Sequence, residues 1–86
     1  MMTSQTTRPA NAYRAYDTVT AWMGRERPTM SAAEYDAHEH NAGCVEQGGY
    51  GSAIVVTPID GICHTLDGSA VWPSHGRSSG AVRWPA

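Results

Sequence analysis

Lysine and phenylalanine are both absent from this chain of 86 residues, and valine, isoleucine and leucine together number only ten. Without lysine, the cationic side chains are six arginines, Arg8, Arg14, Arg25, Arg27, Arg77 and Arg83, scattered along the sequence and offset by eight acids to a formal net charge of −2. No basic stripe of the kind that displaces counterions from a phosphate backbone results, so direct nucleic-acid binding is not expected. The missing lysine also argues against a phosphate-binding loop at Gly48-Gly49-Tyr50-Gly51, a run that follows a predicted helix instead of opening one. No apolar run approaches the roughly 18 residues needed to cross a bilayer, and the opening MMTSQTTRP has no apolar segment of an export signal. The expected address is therefore the cytoplasm, where Cys44 and Cys63 are expected to be thiols.

So few branched aliphatics suggest disorder, but disorder also calls for a high net charge, which this chain lacks. Four Met, three Trp and four Tyr supply the remaining bulk for a thin core. The length suits one small domain of modest stability. Residues 1–12 carry no periodicity and are expected to form a loose arm, with a single domain over 13–86. Seven of the ten aliphatics, Ile54, Val55, Val56, Ile59, Ile62, Leu66 and Val71, fall between Gly51 and Trp72, which marks the organising stretch.

Tyr13, Tyr16, Thr20 and Met23 recur at spacings of three and four, with Val19 and Trp22 alongside, and so predict an amphipathic helix over 13–23 that ends at Gly24 and Pro28. In Met30-Ser31-Ala32-Ala33-Glu34-Tyr35, Ser31 and Glu34 have capping-box spacing and Met30 and Tyr35 occupy the staple positions. A second helix is thus predicted from Ala32 to Asn41 or Ala42, stopped by Gly43. Strands are predicted over 52–57, 61–66 and 69–72, with hairpin turns at Asp60-Gly61 and Asp67-Gly68 and a short fourth strand over 81–84. The expected fold class is α+β: two short N-terminal helices packed on a three- or four-stranded antiparallel meander.

The metal-competent side chains are Asp36, His38, His40 and Cys44 around the second helix, Cys63 and His64 in the hairpin, and His75 beyond it. His38 and His40 lie two apart on a helix and diverge, and Cys63 and His64 are neighbours in a strand with opposite directions. The primary expectation is no cofactor; a zinc site, if formed, would draw Cys44, Cys63, His64 and His75 together from separate elements. A cysteine nucleophile would need a pair across elements, such as Cys44 with His64. Glu34, Asp36, Glu39 and Glu46 point in mixed directions around the helix and read as a solvated face.

By elimination, the leading functional expectation is a non-catalytic protein–protein interaction domain, able to form a homodimer. A small phage or bacterial inhibitor or accessory subunit would act in this way, by covering a partner's surface such as that of a host nucleic-acid machine. Trp72, His75, Arg77, Arg83 and Trp84 are the expected binding surface, because tryptophan and arginine anchor interfaces. The alternatives are a small zinc-stabilised domain using Cys and His, and a small cysteine-dependent enzyme.

Overall fold

The β-branched run after Gly51 forms the centre of the molecule. In a computed structural model, which describes residues 12–72 and 80–85, strand β2 (Ala53–Ile59) lies between β1 (Arg14–Asp17) and β3 (Ile62–His64) in an antiparallel sheet of order β1-β2-β3. Helix α1 (Met30–Glu46) connects β1 to β2. The β2–β3 turn is local chemistry as expected: Asp60 and Gly61 take φ of 54° and 78°, the left-handed pair that a two-residue hairpin connection requires.

The register assigns the core side chains of the three strands to faces. Tyr16 pairs with Ile54 and Asp17 with Ala53 across β1 and β2, and Cys63 pairs with Pro58 across β2 and β3. Opposed residues share a face. Tyr16, Val56 and Cys63 therefore look to one side, where they meet Val71 and the half-buried Met23, Val82 and Trp84. Ala15 and Ala53 look to the other side and pack on Ala37 of α1. Asp17 shares that second face, so the end of β1 points at the helix.

The helix predicted over 13–23 does not form, and the described residues make one helix and a three-stranded sheet instead of two helices and a meander. Tyr16 and Met23, seven apart, meet across a loop as an antiparallel bridge, and Tyr13 pairs with Arg27 in the same way. Helical spacing was imitated by a strand with both faces covered followed by a chain reversal. Ala15 and Tyr16 are both buried, on opposite sides, and no amphipathic helix would bury successive residues so. The predicted strands over 69–72 and 81–84 reduce to single bridges, His64 with Ala70 and Ile62 with Arg83.

Helix α1 begins two residues before the expected start. Thr29 is the N-cap, its hydroxyl accepting from the Ala32 amide at 3.2 Å, which places Ser31 inside the first turn. It also runs through Gly43 to Glu46, and Gly48, at φ 90°, takes the left-handed position after the end. Asn41 docks α1 on β2: its Oδ1 accepts from the Ala53 amide at 2.9 Å and its Nδ2 donates to the Ala53 carbonyl at 3.3 Å. Gly51 passes so close that a Cβ there would overlap Asn41 itself. The arm expected over 1–12 lies outside the described residues except for Ala12, which is buried.

Candidate metal centre

Strand β1 ends on Asp17, and on the helix face opposite it His40 and Cys44 stand one turn apart, at the i and i+4 spacing that puts side chains side by side. The Asp17 carboxylate is 1% exposed. Its Oδ2 lies 2.7 Å from His40 Nε2, and Cys44 Sγ lies 3.6 Å from the same nitrogen. One ligand atom from each of the three residues falls within 4.8 Å of the others.

The turn after β1 is built around the same carboxylate. Asp17 Oδ1 accepts from the amides of Val19 at 2.8 Å and Thr20 at 3.1 Å, while its backbone closes the loop with Ala21 and Trp22. The reversal holds Ala21 at φ 67° and brings Trp22 flat onto the His40 ring, with centroids 4.0 Å apart and planes 7° from parallel. Trp22 thus fixes the ring's plane while Asp17 fixes its nitrogen.

Burial opposes ionisation of Asp17, but hydrogen bonds from the Thr20 amide, His40 and the Val19 and Ser52 amides outweigh it and hold the carboxyl down to about 2. An ionised carboxylate only accepts, so His40 Nε2 carries the hydrogen between them. This decides what the cluster can do. A Cys-His-Asp relay needs the acid on one ring nitrogen and the thiol on the other. Here both contact Nε2, leaving His40 with no free lone pair facing Cys44.

Three donors converging where one proton sits is, by contrast, an arrangement a metal ion can use. Zinc bonds nitrogen and oxygen at about 2.0–2.2 Å and sulfur at about 2.3 Å, which in a tetrahedron separates S from N by about 3.6 Å and N from O by about 3.3 Å. The Cys44–His40 distance already matches, and the Asp17–His40 contact needs to open by roughly 0.6 Å as the ion replaces the proton. A thiolate, an imidazole and a carboxylate suit zinc and similar borderline ions, whereas magnesium and calcium take oxygen ligands.

The expected set of Cys44, Cys63, His64 and His75 is not what assembles. Cys44 is in the cluster, but Cys63 is on the opposite face of the sheet, fully buried, where desolvation pushes its thiol up to about 11 against the pull of Arg14. Both cysteines are free. His64 Nδ1 contacts the Ile62 carbonyl at 2.9 Å, and His75 lies outside the described residues. His40 is among the metal-competent side chains of the sequence but outside the expected zinc set; a helix expected to stop at Gly43 hides its one-turn spacing to Cys44, which appears because α1 runs on to Glu46. Asp17 gave no signal, because its surroundings imitated a helix.

The expected binding surface is divided. Trp72 is 60% exposed and Arg83 is exposed, whereas Trp84 is half-buried, donates to Glu26 at 3.3 Å and carries the Arg14 guanidinium 5.2 Å above its ring. His75 and Arg77 lie outside the described residues. Among the described residues no helix is long and apolar enough to cross a membrane. Comparison of the chain with family models, curated proteins and solved structures gives no match.

Proposed function

We propose that this chain is a small metal-stabilised domain in which one zinc-class divalent ion, held by Asp17, His40 and Cys44, staples strand β1 to helix α1. The convergence of the three donor atoms within 4.8 Å supports this reading. The packing supplies the reason for a staple. The apolar part of the β1–α1–β2 contact is made by Ala15, Ala37 and Ala53, side chains that each bury little apolar surface, beside the Asn41 hydrogen bonds to Ala53. Metal binding in such a domain contributes directly to folding. The proposed role is non-catalytic, in keeping with the shared contact of Asp17 and Cys44 on one histidine nitrogen.

The test is native mass spectrometry and metal analysis of the full chain purified in reducing buffer, with thermal unfolding before and after chelation. One zinc per chain, a lower midpoint on chelation and loss of the ion in His40→Ala and Cys44→Ser are expected. A bare mass after incubation with zinc, together with unfolding indifferent to chelator, overturns the proposal.

The exposure of Trp72 favours a second reading, a surface for a protein partner. It rests on Trp72 and Arg83, since Trp84 is engaged within the fold. Trp72→Ala should release any co-purifying partner, and retention by that variant removes this surface from consideration.

A further inference from the structure

We infer that the ion held by Asp17, His40 and Cys44 keeps one coordination position for a small monodentate nitrogen or sulfur donor from solution, so that the staple is also a ligand-binding site. This rests on the metal reading and takes it one step further. Zinc in a protein takes four donors, and a site with three protein ligands leaves the fourth position to water or an incoming molecule. Among the described residues, no other histidine, cysteine, aspartate or glutamate joins the three within reach of the same point.

The three ligands differ in exposure, and the difference locates the opening. Asp17 forms the inner wall at 1% exposure, while His40 and Cys44 both keep contact with solvent. His40 also lines a groove of about 320 Å³ with Trp22, Arg25, Arg27, Asp36 and Glu39. Arg27 is committed to Asp36 through paired hydrogen bonds of 2.7 and 2.8 Å, which leaves Arg25 and Glu39 as charges of opposite sign. The groove therefore does not select by net charge. Selection falls to the metal and to space. A dication neutralised by one carboxylate and one thiolate accepts a neutral or singly charged donor, and a thiolate-bound borderline ion favours nitrogen or sulfur. Trp22, stacked on the face of His40, forms one wall of that groove.

Cobalt(II) substitution in the full chain tests this, because a four-coordinate cobalt–thiolate centre shows both a charge-transfer band from sulfur and ligand-field bands that respond to every donor. Cobalt titration should give both bands, and azide should then shift the ligand-field bands with saturation while the charge-transfer band persists. Ligand-field bands unmoved by excess azide mean that the protein or a second copy of it fills the fourth position; the inference falls and the metal reading stands. Loss of the charge-transfer band on adding azide means displacement of Cys44 and also overturns the inference. Absence of both bands at saturating cobalt overturns the metal reading, and this inference with it.

Discussion

Asp17 Oδ2 and His40 Nε2 lie 2.7 Å apart, although 23 residues separate them in sequence, and this one contact joins the end of β1 to the middle of α1. In the metal-free chain it is a buried polar pair whose carboxylate is anchored independently by the turn amides. His40→Ala removes one partner and leaves Asp17 held by that turn, so a loss of about 1–3 kcal/mol is expected. Asp17→Ala also dissolves the turn and should cost more. Urea denaturation of both single variants and the double variant, in chelator, should give a coupling energy of about 1 kcal/mol or more.

Metal should raise stability with a definite concentration dependence. Zinc at 100 times its dissociation constant is expected to add about 2.7 kcal/mol to the wild-type chain by mass action. Cys44→Ser removes the thiolate and should flatten that dependence. Calorimetric or denaturant midpoints measured over a zinc series provide the check.

The two thiols should react very differently. Cys63 is fully buried and its thiol is pushed up to about 11, whereas Cys44 is partly exposed. A disulfide reagent should therefore modify one thiol in the native metal-free chain and two in denaturant. Mass mapping should place the native adduct on Cys44, and zinc should protect it.

Two glycines should respond to alanine with opposite signs. Gly51→Ala drives a methyl into Asn41, including its Cα, so the helix has to shift off β2 and a loss of about 3 kcal/mol is expected. Gly43 sits inside α1 with nothing within 4 Å of an added Cβ, and Gly43→Ala should stabilise by about 0.5–1 kcal/mol. Paired urea curves give both values.

The Arg27–Asp36 ion pair predicts a pH dependence. The hydrogen bonds from Arg27 hold the Asp36 carboxyl below its ordinary value of 3.8 in the folded chain. Its stabilising contribution is therefore complete above 3.8 and is lost as the pH falls through the depressed folded value. Asp36→Asn should lower the urea midpoint relative to wild type at pH 7, and the difference should close in strong acid. A difference that persists unchanged there contradicts the linkage.

What the sequence determined by itself was local. Asp60-Gly61 specifies its turn because the left-handed backbone of a tight hairpin favours those two residues, wherever the strands then go. The alternation through Ile62, Cys63 and His64 likewise separated the buried thiol from its neighbours. A helix over the Met30 region was legible from its start signals, though Thr29 won the cap from Ser31.

Tertiary structure decided the rest. Tyr13 to Met23 presents apolar groups at helical spacing, and only pairing with β2 on one edge and the Met23–Arg27 return on the other makes its first part, β1, a strand, with Tyr16 and Ala15 packed into cores on opposite faces. The convergence of Asp17, His40 and Cys44 depended on that outcome. His40 and Cys44 share a helix face only because α1 runs on through Gly43, and Asp17 reaches them only if β1 is a strand in this register, which turns its side chain toward α1. Backbone pairing between distant segments set that register, and a one-residue slip would have pointed the carboxylate away from the helix.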